Sequence, residues 1–318
     1  LIRSRFAPSP TGELHLGNAR TALLAWLQAR SLGGVFVMRV EDLDPGRVVP
    51  GAQEKQLAAL RELGIDWDEG PDVGGPFAPY VQSQRSSLYA EAISRLRAQG
   101  EIFPCYCSRA EIARASVAPH GPADDGPRYP GTCRALTEEQ RREREAQGRK
   151  PAWRFRVRSG VIGFDDGIAG HVEQDVENVV GDFVVQRADG VFAYQLAVVV
   201  DDIAMNISHV LRGDDLLGST PRQLLLYEAL GAKPPSFFHV PLVLGPSGER
   251  LSKRDGPVSV SALAERGVSA AEMVQELAEL CGMVLPGART AKDLLKDFAL
   301  DRLPRSAPRW SPQRLLGG

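Results

Sequence analysis

Apolar and polar positions along the 318-residue chain alternate between a short period and a helical one. Residues 2–7 read as a short buried strand; Pro8 and Pro10 stiffen its exit, and Gly12 and Gly17 let backbone approach a ligand closely. From Gly17 the pattern turns helical, with Ala22, Leu23, Ala25, Trp26 and Leu27 on one face, and it ends at residues 31–34. Residues 34–40 predict a second buried strand that delivers Glu41, Asp42 and Asp44 at its carboxyl end. Residues 53–63 and 85–99 predict amphipathic helices.

The second half continues the alternation. Residues 137–147 predict a charged helix, and residues 152–158 a half-buried strand with Trp153, Phe155 and Val157 on one face and three arginines on the other. Short strands at 161–164 and 171–172 make this region α+β. A hairpin over 182–194 turns at 188–190, and residues 195–202 and 207–212 lead to one helix over 213–230, opened by Asp214 and Asp215. A strand at 237–244 feeds the loop 245–256, and helices follow at 261–265, 270–281 and 291–298 before a proline-rich tail. Strands and helices alternating without G-x-G-x-x-G or a Walker lysine motif predict a Rossmann-like α/β nucleotide fold, neither dehydrogenase nor P-loop enzyme.

Composition narrows the setting. The chain is long enough for a sizeable core and lacks both a membrane-length apolar run and a signal-peptide hydrophobic region. Its 38 Lys and Arg against 40 Asp and Glu give a net charge of −2, so any RNA contact is local rather than global. The richest basic stretch runs over 141–158, with a smaller one at Arg302, Arg305, Arg309 and Arg314. Four cysteines are too few for a disulfide scaffold and fit a reducing cytoplasm.

Three features carry chemistry. A helix that starts just after a strand offers unpaired N–H groups to a phosphate, and His15 lies on that approach. Far downstream, glycine turns bracket Arg250, Lys253 and Arg254, with Ser252 as a further donor, in a loop that can close over polyphosphate. Singly, the first is a turn histidine and the second a solvated basic loop. Cys105 and Cys107 can share one cation, and a turn at 130–131 can return Cys133 to them; thiolates favour tetrahedral zinc. The fourth ligand is open among Tyr129, His120 and water. Cys281 reads as a small core residue.

Together, residues 15–18 (His-Leu-Gly-Asn) and 250–254 (Arg-Leu-Ser-Lys-Arg) resemble the paired signatures of class I aminoacyl-tRNA synthetases. The preceding residues 5–12 (Arg-Phe-Ala-Pro-Ser-Pro-Thr-Gly) narrow the resemblance to the glutamyl and glutaminyl branch, and the overall pattern is similar to its glutamyl-queuosine group. Asn18 stands where the second histidine is common, and Arg250, Leu251 and Arg254 vary the lysine loop. The resemblance implies a Rossmann-like catalytic core, split into residues 1–100 and 181–256, with a zinc-bearing insertion at 101–180 and a helical stem-contact region at 257–318. No segment beyond it is expected to read an anticodon. It implies one structural zinc held by Cys105, Cys107, Tyr129 and Cys133. It assigns Arg5, Phe6, Ala7, Pro8, Ser9, Glu41, Tyr194 and Arg212 to glutamate, and His15, Gly17, Asn18 and Lys253 to ATP with magnesium. His15 and Lys253 are the expected catalytic pair. The implied reaction activates glutamate with ATP and transfers it to queuosine in tRNA(Asp); a cytoplasmic monomer is expected. An ordinary glutamyl synthetase fragment and a non-catalytic RNA-binding paralogue are the alternatives.

Overall fold

The structure, a computed structural model, describes residues 1–115, 128–158, 160–251 and 258–317. The chain opens with β1 (Arg3–Phe6), α1 (Leu16–Ser31), β2 (Val35–Met38), α2 (Ala52–Glu62) and α3 (Ser86–Ala98). There follow β3 (Ile102–Cys105), α4 (Arg109–Ala115), α5 (Glu138–Ala146), β4 (Ala152–Phe155), β5 (Val161–Asp166), β6 (Gly170–Asp175), α6 (Val176–Val179) and β7 (Val184–Gln186). Then come α7 (Tyr194–Ala204), β8 (His209–Gly213), α8 (Thr220–Ala229) and β9 (Ser236–Val240), and last α9 (Val260–Ala264), α10 (Ala270–Leu280) and α11 (Gln313–Leu316).

A four-stranded parallel sheet in the order β2-β1-β8-β9 joins the two halves of the chain. Its strands are largely buried between helix layers, β2 with an all-apolar run and β1, β8 and β9 with buried polar side chains among the apolar ones. Phe36, Met38, Leu211 and Val240 pack with α1, α2 and α10, whereas Val37, Val210 and Phe237 pack with α3, α7 and α8. The period of two thus splits the core into two layers. A three-stranded antiparallel sheet, β3-β4-β7, stands apart from the parallel one, and β5-β6 form a two-stranded hairpin. The C-terminal helices share the α1 layer: Arg20 of α1 donates to Leu280 O at the end of α10 (3.0 Å) and to Pro241 O (2.7 Å). Among the described residues, no helix is long and apolar enough to cross a membrane.

Four expectations change. The helix predicted over 213–230 is a 3₁₀ turn, Asp214–Ser219, followed by α8, because Pro221 has no amide to continue a ladder and suits a first helical turn. The strand predicted over 237–244 stops at Val240, before Pro241. The helix predicted over 291–298 is a 3₁₀ segment, Ala291–Lys296, closed by a Thr290–Asp293 capping box. Finally, Arg154 on β4 is not on a solvated face. It is buried, with its guanidinium 4.0 Å over the Tyr129 ring and Nη1 donating to Asp182 O. The predicted 182–194 hairpin forms, turning through Arg187–Gly190, although its return arm is reduced to the Gln186–Phe192 bridge.

Candidate active site

β1 ends at Phe6, and the chain through Pro8 and Pro10 reaches the start of α1, where His15 is the N-cap residue without a side-chain cap. Leu16 N–H donates to Val258 O (2.8 Å), so the helix start is pinned to the segment after the 245–256 loop. The first-turn amides of Gly17 and Asn18 have no acceptor within the helix, which makes this end attractive to an anion. Beside it opens a cleft of about 590 Å³ lined by Thr11, Gly12, Glu13, His15, Lys55 and Arg266 among others. Arg250 reaches Asp215 (3.1 Å) just beyond β8, so the described stem of the basic loop lies at the same edge of the sheet as Arg212. Ser252, Lys253 and Arg254 lie outside the described residues, as does His120.

At the carboxyl ends of β1 and β2 the polar residues form one charge cluster. Arg39 donates to Asp202 (2.6 Å) and Glu41 (3.0 Å), and stands 3.7 Å from Asp201. Arg5 reaches Asp202 at 3.4 Å. Burial lowers the Arg39 pKa, but Asp202, Asp201 and Glu41 together outweigh it and hold the guanidinium well above its ordinary value. Burial pushes Glu41 up against the pull of Arg39 and Arg5, whereas for Asp202 the same two arginines win and lower it. Asp201 is fully buried and accepts from Arg85 Nε (2.6 Å), Gln82 Nε2 (2.8 Å) and the Tyr89 hydroxyl (3.0 Å).

Arg212 differs from its neighbours. It is buried, yet it has no carboxylate partner among the described residues. Its Nε donates to His239 Nε2 (3.0 Å), and Nη2 donates to Thr220 Oγ1 and Gln223 Oε1 (both 2.9 Å), while the buried Nη1 has no hydrogen-bond partner among the described residues. Burial lowers its pKa, with only weak compensation from Tyr194 and Asp202. A desolvated guanidinium held by neutral acceptors is able to pair with an anion. Tyr194, at the start of α7, interacts electrostatically with Arg212, Glu41, Arg5 and Asp202, so five predicted or noted side chains converge here. Of the other residues predicted here, Phe6 and Pro8 are buried, Ala7 is half-buried and Ser9 is exposed.

The cysteines converge as well. The Sγ atoms of Cys105, Cys107 and Cys133 lie within 4.8 Å of one another, a cluster able to hold a metal ion such as zinc. Cys107 and Cys133 are 3.5 Å apart, and the Tyr129 hydroxyl oxygen accepts from Cys105 Sγ (3.4 Å) and Cys133 N–H (2.8 Å). A hydrogen bond from Cys105 draws the Cys133 thiol down, and the same bond with burial pushes Cys105 up. None of the four cysteines is in a disulfide.

Sequence reasoning missed Arg39, His239, Asp166, Thr220 and Gln223. A signal existed for two: Arg39 interrupts the apolar run 35–40, and His239 the run 237–244. Both are fully buried polar residues, Arg39 just past the end of β2 and His239 within β9, and such residues require partners.

A parallel sheet with a helix start and the described stem of a basic loop at its carboxyl edge fits a class I aminoacyl-tRNA synthetase catalytic domain. Residues 1–302 match the family "tRNA synthetases class I (E and Q), catalytic domain", and the chain belongs to it. It is therefore a ligase-type enzyme. The Glutamyl-Q tRNA(Asp) synthetase of Symbiobacterium thermophilum is 54% identical over 310 residues, 97% of this chain and 96% of that protein. Glutamate–tRNA ligase 2 of Syntrophus aciditrophicus is 45% identical, over 99% of this chain but 65% of its own length. A glutamate tRNA ligase from Elizabethkingia meningosepticum, crystallised in complex with its amino acid, superposes with a TM-score of 0.85 at 31% identity, covering 99% of this chain and 68% of that one.

Proposed function

We propose that this enzyme activates glutamate with ATP, releasing pyrophosphate, and transfers the glutamyl group from the adenylate to queuosine in tRNA(Asp), releasing AMP. One observation carries the substrate reading: Arg212 is a buried guanidinium whose Nη1 has no hydrogen-bond partner, and which has no carboxylate partner, among the described residues. A glutamate carboxylate supplies the missing charge, and glutamine does not. Similarity over 96% of the length of a Glutamyl-Q tRNA(Asp) synthetase supports the acceptor.

In this reading Arg5, Phe6, Ala7, Pro8, Ser9, Glu41 and Tyr194 complete the amino-acid site with Arg212. His15, Gly17 and Asn18 receive ATP with its magnesium. Attack by the glutamate carboxylate on the α-phosphate needs positioning and charge stabilisation more than a base, and Lys253 neutralises the departing pyrophosphate. Cys105, Cys107, Cys133 and Tyr129 fit one structural zinc, since the three sulfurs lie within 4.8 Å of one another and the Tyr129 hydroxyl lies 3.4 Å from Cys105 Sγ. Its role is to hold the insertion, residues 101–180, between the core halves 1–100 and 181–256. Residues 257–318 then meet the tRNA stem.

The test is glutamate-dependent ATP–pyrophosphate exchange with RNA removed, followed by labelled transfer to tRNA(Asp) with and without queuosine. Exchange without RNA and transfer only to the queuosine-bearing tRNA support the proposal. Exchange that requires tRNA(Glu), with charging of that tRNA, overturns it in favour of an ordinary glutamyl synthetase.

A further inference from the structure

The hairpin β5-β6 belongs to the segment inserted between the core strands, yet its tip reaches the amino-acid site. Asp166, the last residue of β5, accepts from Ile168 N–H (2.9 Å), Ala169 N–H (2.8 Å) and His239 N–H (3.1 Å) through Oδ1. Its Oδ2 lies 2.6 Å from His239 Nδ1. The approach depends on Gly167, whose N–H donates to Phe237 O (2.9 Å) and where a Cβ would come within 2.2 Å of the Phe238 ring. Asp166 and His239 are both fully buried at their side chains.

The hydrogen-bond directions fix the histidine's form. Arg212 Nε is always a donor, so His239 Nε2 must be an acceptor, at 3.0 Å. Nδ1 must then carry the proton and donate to Asp166 Oδ2. Thr220 Oγ1, 3.2 Å from Nε2 and 2.9 Å from Arg212 Nη2, fits the same arrangement by donating to the ring and accepting from the guanidinium.

We infer that Asp166 and His239 are positioning residues for the amino-acid substrate: the carboxylate sets the imidazole tautomer, and the tautomer aims Arg212 into the site. The inference rests on the reading of Arg212 as the glutamate-binding cation. Asp166→Asn keeps Oδ1 for the three backbone amides but places an NH₂ donor against Nδ1. His239 then carries its proton on Nε2, facing the Arg212 Nε–H, and the guanidinium loses its aim, as when an orienting carboxylate becomes an amide in a catalytic triad. His239→Gln supplies an acceptor near Nε2 that no tautomer controls.

The experiment measures glutamate KM, ATP KM and kcat in pyrophosphate exchange for the full chain. Asp166→Asn raises glutamate KM on the order of tenfold, the cost of one charge-assisted hydrogen bond, with ATP KM within twofold. His239→Gln, which keeps an acceptor for Arg212 Nε but loses the fixed ring, raises glutamate KM less than Asp166→Asn does, and the double variant falls back toward the His239→Gln value. A purely structural Asp166 predicts no such rescue. An unchanged glutamate KM in Asp166→Asn, or a double variant worse than either single one, overturns the inference. Nitrogen-15 spectra of the wild type add a check that needs no variant to fold: protonation of His239 at Nδ1 supports the inference, and at Nε2 it overturns it. Arg212→Gln separates the two levels. If it leaves glutamate KM unchanged, the underlying reading fails; if it raises KM while Asp166→Asn does not, only the inference fails.

Discussion

Replacing Asp201 by asparagine changes almost no volume and removes one charge from a closed electrostatic cluster. Three buried or nearly buried arginines, Arg5, Arg39 and Arg85, there face three acids, Asp201, Asp202 and Glu41. Oδ1 of Asp201 accepts from Arg85 (2.6 Å), and Oδ2 accepts from Gln82 (2.8 Å) and faces Arg39 Nε (3.7 Å). Whichever way the asparagine turns, its NH₂ meets a donor, and an uncompensated positive charge stays buried. Removing one partner of a buried pair costs about 3–5 kcal/mol. At roughly 2 °C per kcal/mol for a chain of this size, the melting temperature falls by about 6–10 °C. Urea unfolding and thermal melts followed by circular dichroism measure it. Adding Arg85→Met removes the stranded cation, so the double variant loses at least about 1 kcal/mol less than the sum of the singles. A melting temperature within about 1 °C of wild type for Asp201→Asn, or strict additivity in the double variant, would refute the charge balance described here.

Other outcomes follow from the same geometry. Purified protein carries about one zinc per chain by elemental analysis, and Cys133→Ser or chelation lowers the stability of the insertion, read by hydrogen exchange in β3 and β4; a metal-free native protein of full stability contradicts the site. Lys253→Ala lowers exchange turnover far more than it raises glutamate KM, and an unchanged kcat removes Lys253 from the reaction. Burial lowers the His239 pKa, so between the unfolded value near about 6.5 and the lower folded one the unfolded chain binds the extra proton. Wild type therefore loses stability relative to His239→Gln as pH falls below that value, by up to about 1.4 kcal/mol per pH unit, and a pH-independent difference refutes the neutral buried imidazole.

The helix start at Gly17, the strand before it and the Cys105–Cys107 spacing were legible because each is local: a turn, a period and a doublet a few residues long. Tyr129 was singled out through resemblance rather than from a local pattern, and its hydroxyl lies 3.4 Å from Cys105 Sγ and 2.8 Å from Cys133 N. The pairing of Arg39 with Asp202 and of His239 with Asp166 was not, because these partners lie 163 and 73 residues away and no local period announces them. The buried Arg154 misled for a related reason. Strict alternation identifies two faces of a strand but does not say that the polar one is capped, here by the Tyr129 ring. Pro221 and Pro241 explain the element ends that ran too far, since each was visible in the sequence and was outweighed by the apolar run around it.

The sheet β3-β4-β7 has its own implication for chimeras. Its third strand is the segment that runs through the 187–190 turn into Tyr194 and α7, so the thiol-bearing module and the amino-acid site share a ladder. A cassette exchange cut at the base of the module, at Ile102 and Phe155, would leave β7 behind as an edge strand whose register was set by the lost β4. Grafting another acceptor-recognition module onto this enzyme therefore means transplanting residues through Gln186 together, with the β4–β7 irregularity at Trp153–Arg154 intact.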